Sequence, residues 1–439
     1  MSGAGAETPG LIIALLITLD IVMGLSGLLC FLILFSQTSG KGKQMKVRTI
    51  DQLDLSGKRA LIRVDFNVPL DKAGNITDDT RIKAVLPTIR LSLEMGAKTI
   101  LLSHMGRPKG KVVQGLSLSP VAKRLSSLLG KDVSFVPDCV GETVTKAVAS
   151  MQPGDVLLLE NVRFHPGEEK NDETFGKQLA ALCDVYVNDA FATAHRGHSS
   201  NVAVTRFVGE KGAGLLMKNE IAYFEKALVS PARPLVAVFG GAKISGKIDA
   251  INNVLGKVDK ILIGGAMANT FFAAQGYELG NSLYEAEMVE TAEKVLANAA
   301  GHRVKFYLPV DVVVADRLES PTVSKIVPAQ EIPPGWTAGD VGPATSLLFK
   351  AALQDAMTIV WNGPLGAFEI GTFANGTYSI MRALAESKAI TIVGGGDTDT
   401  ALHKAGLFSR MSYVSTGGGA FLELLEGKRL PGIVALEEG

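Results

Sequence analysis

The chain has no surplus of charge of either sign, with 44 Lys and Arg against 44 Asp and Glu. General nucleic-acid binders carry a basic excess, so that partner class is excluded. Cysteine is scarce. Cys30, Cys139 and Cys183 are far apart and show no metal-ligand spacing, which excludes a disulfide scaffold or a Cys-rich zinc module. An odd, widely spaced set fits inert thiols in a reducing compartment. No Ser-His-Asp or Cys-His arrangement stands out, and His165, His302 and His403 read as structural or exposed. Only 20% of residues are charged, while hydrophobic residues reach 47%, so a large core can form and disorder is excluded beyond the first few dozen residues.

Glycine, by contrast, is abundant, with 48 residues clustered near the ends of apolar segments, where backbone can approach a ligand closely. The length of 439 residues suits two domains or three. Leu11 to Phe35 is a nearly unbroken apolar run of 25 residues. A membrane span needs ~20, and a signal-peptide core is only ~7–15. Asp20 lies inside the run, where a carboxylate is costly. Lys41, Lys43, Lys46 and Arg48 follow it and no Lys or Arg precedes it, so a span would leave the C-terminal bulk in the cytoplasm. Met45 opens MKVRTIDQLDLSGKRALIRVDF, which reads equally well as the start of a soluble protein. Two readings therefore stand for residues 1–44: a cytoplasmic-face anchor through 11–35, or an upstream-start artefact.

From Lys58 onward short apolar strands alternate with amphipathic helices. LIRVDF, AKTILLSH, DVLLLENVRF and CDVYVNDAF read as strands, DDTRIKAVLPTIRLSLEMG and SPVAKRLSSLLG as helices, the latter with Ser119 as its cap. This order predicts an α/β class with parallel sheets covered on both faces by helices. Leu215, Leu216, Ile221, Phe224 and Leu228 fall at helical spacing, and Pro231 and Pro234 end that helix, which joins two lobes. The pattern then restarts with PLVAVFGG, DKILIGG, KFYLPVDVVVAD, AMTIVWNGP, AITIVGGGDT and SYVSTGGGA, each read as one strand ending in a Gly-rich or polar turn. In open parallel sheets, ligands sit outside the carboxyl ends of the strands.

The two lobes differ in what those ends carry. The first offers Arg63, Asp65, Asn67, Arg81, His104, Arg107, Arg163, His195 and Arg196. One surface arginine is usually just solvated. Five beside strand-end turns or a helix start suit a small, multiply anionic substrate, because Arg binds phosphate and carboxylate bidentately. The second offers GGAKISGKI, where Gly241-x4-Gly246-Lys247 approaches a P-loop. Ile248 stands where a P-loop needs Ser or Thr, so that reading fails. Lys243 and Lys247 still suit phosphate oxygens. Gly394 to Thr398 opens a helix whose N-terminus can hold phosphate, with Asp397 placed for Mg²⁺. Ser415 to Ala420 repeats the arrangement.

RVDFNVPL, ITDDTRI, SHMGRP, ENVRFHPGEEKND, NDAFATAHRGH, GGAKISGKI, WNGPLGAFE, GGGDT and STGGGA follow the order typical of phosphoglycerate kinases. From Met45 to its end the chain resembles that family. The resemblance implies two Rossmann-like lobes: a phosphoglycerate-binding lobe of residues 45–212 with the tail 420–439, an interdomain helix over 213–229, and a nucleotide-binding lobe over 230–419. It implies 3-phosphoglycerate and 1,3-bisphosphoglycerate as substrates, with ADP or ATP as co-substrate, Mg²⁺ as cofactor, a monomer and a cytoplasmic setting. Asp65, Asn67, Arg81, His104, Arg107, Arg163 and Arg196 would bind the glycerate. Lys243, Lys247, Asn362, Glu369 and the turn Gly394, Gly395, Gly396, Asp397 and Thr398 would bind the nucleotide, with Glu369 at the ribose and Asp397 at the metal. Ala266, Gly246 and Ala192 depart from the commonest family wording, where Gly, Asp and Gly stand, and bear on affinity.

Phosphoryl transfer needs positioning and charge neutralisation more than covalent chemistry, and Arg81 and Lys243 are the expected catalytic pair, one from each lobe. Two other readings remain open to the sequence. One is a kinase acting on a different carboxylate. The other is a non-catalytic, membrane-tethered binding protein on a kinase scaffold.

Overall fold

The computed structural model describes residues 46–320 and 322–437. The run 11–35, with Asp20 and Cys30, lies outside the described residues. Among the described residues, no helix is long and apolar enough to cross a membrane. Residues 45–439 form a unit by themselves.

The first lobe runs β1 (Arg59–Arg63), α1 (Thr80–Glu94), β2 (Lys98–Leu102), α2 (Ser119–Leu129), β3 (Ser134–Val136), α3 (Glu142–Ser150), β4 (Val156–Leu159), α4 (Glu173–Ala180), β5 (Val185–Asn188) and β6 (Glu210–Ala213). The strands form one sheet in the order β3-β4-β2-β1-β5-β6. Every pairing is parallel, for example Leu61 opposite Ile100 and Tyr186. β4 and β5 are buried at every position, as strands covered on both faces should be. α1 turns Ile82, Val85 and Ile89 inward and continues through Pro87. Ser119 is not the cap of α2: Leu118 precedes the helix, and Pro120 occupies its first turn. The hydroxyl that organises this entry belongs to Ser117, which donates to Glu160 Oε2 at 2.6 Å and accepts from the Ser119 amide.

α5 (Leu215–Phe224) continues into one π-helical turn over Glu225–Val229 and joins the lobes. The second lobe contains β7 (Leu235–Phe239), α6 (Ile248–Leu255), β8 (Lys260–Ile263), α7 (Met267–Ala274), α8 (Val289–Gly301), β9 (Lys305–Tyr307), β10 (Asp311–Ala315), β11 (Ser324–Pro328), β12 (Thr337–Val341), α9 (Pro343–Leu353), β13 (Thr358–Asn362), α10 (Asn375–Glu386), β14 (Ile390–Gly394), α11 (Gly396–Ala405) and β15 (Tyr413–Val414), and α12 (Gly418–Leu425) follows them. Six strands form a second parallel sheet, β15-β14-β13-β7-β8-β9. KFYLPVDVVVAD is two strands rather than one. The chain leaves the sheet between β9 and β10, and β10 joins an antiparallel three-stranded sheet of order β11-β10-β12. Pro309, which has no amide hydrogen to donate, sits in that break.

The chain ends in α13 (Pro431–Glu437), which returns to the first lobe, where Gly432 N donates to Ala194 O at 2.8 Å. α12 touches both lobes. Asn253 of α6 donates to its last carbonyl, at Leu425, at 2.7 Å, and Gly417 before it lies against Phe191.

Candidate active site

The carboxyl ends of β1, β2, β4 and β5 open on one cleft of about 470 Å³. Asp65, Asn67, Arg81, His104, Arg107, Arg163, His195 and Arg196 all line it. Their backbone is tied together locally. Asn67 N donates to Asp65 Oδ1 at 3.1 Å, and Asn67 Oδ1 accepts from Gly106 N at 2.9 Å. Arg81, at the start of α1, pairs with buried Asp65. Arg163 is buried, donates to Gly106 O at 2.7 Å and keeps its Nε 3.5 Å from a Glu169 carboxylate oxygen. Burial and the nearby Arg63 lower its pKa.

Arg63 does not join this lining. Its side chain is fully buried beneath the site, where Nε donates to Ser200 Oγ at 2.9 Å and a terminal nitrogen lies 3.2 Å from His104 Nδ1. Ser200 Oγ in turn donates to Glu168 Oε1 at 2.7 Å. Arg63 therefore supports the cleft from behind, and four of the five strand-end arginines face it. Burial, then Arg63, Arg163 and Arg81, hold the His104 imidazole well below its ordinary pKa. Burial and the adjacent Arg196 bring His195 down to about 4. Both rings are neutral at physiological pH, so the positive charge lining this cleft comes from the arginines.

The opposite wall of the same cleft belongs to the second lobe: Gly395, Gly396 and Asp399 of the turn into α11, and Ser415, Thr416, Gly418 and Gly419 at the start of α12. Asp78, Thr80, Thr193, Asp399 and Phe408 are lining residues that the sequence reading did not select. Asp78 and Thr80 stand inside the ITDDTRI segment that carries Arg81, the signal that could have found them.

A second cleft of about 270 Å³ lies along the ends of β7, β8, β12 and β13. Gly241, Gly265, Ala266, Leu318, Pro364, Glu369 and Asp397 line it. Gly240 shows why glycine is needed at this rim, since a Cβ there would stand 2.1 Å from the Pro364 carbonyl oxygen. Asp340, unselected by sequence, also lines this cleft. It accepts from Gly376 N at 2.7 Å, and burial pushes its carboxyl up to about 7.

Lys247 reaches across from the β7 loop to the Asn362 side-chain oxygen at the end of β13. Asn362 Nδ2 donates to Gly394 O at 3.2 Å, and Thr398 Oγ1 accepts from Gly363 N at 2.9 Å. Lys247, Asn362 and the Gly394–Thr398 turn are thus one connected assembly. Burial lowers the Lys247 ammonium to about 8, with the Asp397 charge opposing. Lys243 projects from the same loop, is exposed and lines neither cleft. The loop is braced by Glu285, which accepts from Ser245 N at 2.9 Å and Ser245 Oγ at 2.5 Å, and whose carboxyl is lowered by these bonds and by the Lys243 charge. Gly246 is open, and a Cβ there would meet nothing.

Residues 50–428 match the family model described as phosphoglycerate kinase. A phosphoglycerate kinase of Geotalea uraniireducens is 57% identical over 395 residues, covering 90% of this chain and 99% of that protein. One of Aquifex aeolicus is 52% identical over 394 residues, again 90% and 99% of the two chains. The solved structure of phosphoglycerate kinase from Coxiella burnetii superimposes with a TM-score of 0.83 at 44% identity, covering 89% of this chain and 99% of that one. That from Pyrococcus horikoshii gives 0.77 at 32% identity, covering 88% and 98%. With two parallel-sheet lobes, an arginine-lined cleft and a glycine-lined one, and relatives matched over almost their full length, the chain belongs to the phosphoglycerate kinase family.

Proposed function

We propose that the chain reversibly transfers a phosphoryl group from 1,3-bisphosphoglycerate to ADP, giving 3-phosphoglycerate and ATP. One observation carries the reading: the Gly394–Thr398 turn borders both clefts, with Gly395 and Gly396 in the arginine-lined one and Asp397 in the other. A phosphate held by this turn from the nucleotide side is presented to the arginines of the substrate side.

In this reading Asp65, Asn67, His104, Arg107, Arg163 and Arg196 hold the glycerate. Lys247, Asn362, Glu369 and Gly394 to Thr398 hold the nucleotide. Arg81 and Lys243 neutralise the charge on the moving phosphoryl group from opposite lobes. In the ATP-consuming direction the attacking oxygen is a substrate carboxylate, already anionic at neutral pH. No general base is needed, and the lowered pKa values of His104 and His195 make both rings weak bases. The exposed position of Lys243 implies closure of the lobes before transfer, which also excludes water.

Mg²⁺ fits the donor set, since Asp397 is an exposed carboxylate in the first turn of α11, next to the backbone amides that would hold phosphate. When bound, the ion neutralises charge on the nucleotide phosphates. We place the enzyme in the cytoplasm, as a monomer, with residues 45–212 and 420–439 serving the glycerate, 230–419 the nucleotide, and 213–229 the joint. The non-catalytic scaffold reading is not supported, because Arg81, Lys243 and Asp397 are all present.

The test is a coupled assay of ATP formation from ADP and 1,3-bisphosphoglycerate with Mg²⁺. Inactivity of folded protein would sink the assignment. Arg163→Ala is expected to raise KM for 3-phosphoglycerate and leave the Kd for ADP nearly unchanged. A comparable change in both would contradict the division between lobes.

A further inference from the structure

Asp138, Cys139 and His165 form a trio remote in role from either cleft. Asp138 and Cys139 lie on the connection after β3, and His165 follows the turn that carries Arg163. One donor atom from each lies within 4.8 Å of the other two, and this is the only such trio among the described residues. The sequence did not show it, because 25 residues separate Cys139 from His165 and no short-range ligand spacing results.

The trio has a back and a mouth. Cys139 is fully buried, while the side chains of His165 and Asp138 are 30% and 48% exposed. His165 Nε2 lies 2.8 Å from Asp138 Oδ1, and the imidazole stacks on Phe175 with ring centroids 5.0 Å apart. The ring is therefore oriented, and one nitrogen is already aimed at the carboxylate. Asp138 Oδ1 also accepts from Cys139 N at 2.7 Å, which fixes the carboxylate over the thiol. Burial, and then the charges of Asp138, Glu168 and Glu160, hold the Cys139 thiol well above its ordinary pKa, and the same negative charges favour a cation beside it. Glu160 is held in place by Ser117 Oγ and Leu118 N.

We propose that Asp138, Cys139 and His165 bind a borderline-soft divalent cation of the zinc class, through one carboxylate oxygen, one thiolate sulfur and one imidazole nitrogen, with water completing the shell. Mixed N, S and O ligands suit Zn²⁺ and not Mg²⁺, which takes oxygen donors in octahedral geometry. This separates the site from Asp397. Tetrahedral zinc ligands stand roughly 3–4 Å apart. Binding therefore opens the His165–Asp138 hydrogen bond slightly and draws the thiolate in. The Cys139 S–H bond breaks, its proton leaves to solvent, and a metal–sulfur bond forms without change of oxidation state. Occupation would tie the β3–α3 connection to the segment that presents Arg163.

The experiment uses the full-length, nucleotide-free chain. Zn²⁺ affinity is measured by competition with a chromophoric chelator, and Co²⁺ is added separately as a spectroscopic probe. One equivalent of metal is expected to bind, with a thiolate-to-cobalt charge-transfer band in the near ultraviolet. Cys139→Ser is expected to remove the band and weaken Zn²⁺ binding at least about tenfold. His165→Gln, at a partly exposed position, is expected to weaken Zn²⁺ similarly, and it decides the matter if the buried serine destabilises the fold. Absence of stoichiometric binding, absence of the band, or binding that survives His165→Gln overturns the proposal. A band that persists in folded Cys139→Ser does the same, because it assigns the metal to another thiol.

Discussion

A terminal guanidinium nitrogen of Arg63 lies 3.2 Å from Nδ1 of His104, and both side chains are buried. Arg has only donors, so His104 Nδ1 is the acceptor and carries no proton. The imidazole proton then sits on Nε2, the nitrogen left free to donate to a ligand in the arginine-lined cleft. A cation that never touches the cleft thus selects the tautomer of a residue that lines it.

His104 is accordingly expected to remain a neutral Nε2–H tautomer at pH 6.5, where an ordinary imidazole is half protonated. Two-bond ¹⁵N–¹H correlation spectra read this directly. Its folded-state pKa lies below the unfolded value, so the unfolded chain takes up a proton that the fold refuses, and stability falls as pH drops through 6.5. Arg63→Met removes the donor, mixes the tautomers and is expected to raise KM for the acid substrate about tenfold, or about 1–2 kcal/mol. Unchanged tautomer and KM in the folded variant would assign Arg63 to packing alone.

The role of Arg63 was not legible in RVDFN, where it looks like any strand-end arginine. Its partners Ser200 and His104 are 137 and 41 residues away, and only the folded sheet brings them under it. The motif-bearing strand ends were legible because buried parallel strands are long apolar runs that stop abruptly at glycine or charge. β3 has only three residues, and β11 is exposed along most of its length, so neither carries a period that marks a buried strand. β9 and β10 merged in the sequence because both are apolar and only Leu308, Pro309 and Val310 separate them. Nothing in the residues said that the chain changes sheets there.

Lys247 is expected to make nucleotide binding sensitive to alkali. Its ammonium is lowered to about 8, mainly by burial. A bound phosphate favours the charged form, so ADP binding at pH 8 is expected to take up a fraction of a proton. Affinity falls as pH rises above 8. Calorimetry in buffers of different ionisation enthalpy measures the uptake. Lys247→Met is expected to weaken ADP and abolish both the uptake and the pH dependence. A pH dependence that persists in the variant would place the titrating group elsewhere.

Glu220 of α5 is buried and accepts from Thr416 N at 2.8 Å and Thr416 Oγ1 at 2.9 Å, tying the joint between lobes to the turn before α12. Burial pushes its carboxyl up to about 7. The fold holds a proton that the unfolded chain has lost between the ordinary 4.5 and 7, so this group's contribution to stability declines as pH rises through that window. Glu220→Gln retains an acceptor oxygen for both Thr416 bonds and cannot ionise. Denaturation midpoints measured across the window are expected to decline less in the variant, by on the order of 1 kcal/mol at pH 8. Parallel profiles for the two proteins would mean that Glu220 is not the titrating group.

The three glycines of the turn into α11 are glycine for different reasons, and alanine substitution separates them. A Cβ at Gly394 would stand 2.2 Å from the Phe421 ring of α12, where that helix packs on the end of β14. Gly395 has φ +104°, a left-handed value that side chains disfavour. A Cβ at Gly396 meets nothing within 4 Å, although the residue borders the arginine-lined cleft. Gly394→Ala is therefore expected to destabilise the fold by about 1–3 kcal/mol through overpacking, read as a lowered denaturation midpoint. Gly396→Ala is expected to leave that midpoint within about 0.5 kcal/mol. Its methyl group is expected instead to occupy the space through which a phosphate would reach the helix N-terminus, and so to raise the Kd for ADP. If Gly396→Ala binds ADP as tightly as the parent chain, the phosphate does not sit on this turn, and the link between the two clefts that supports phosphoryl transfer is lost with it.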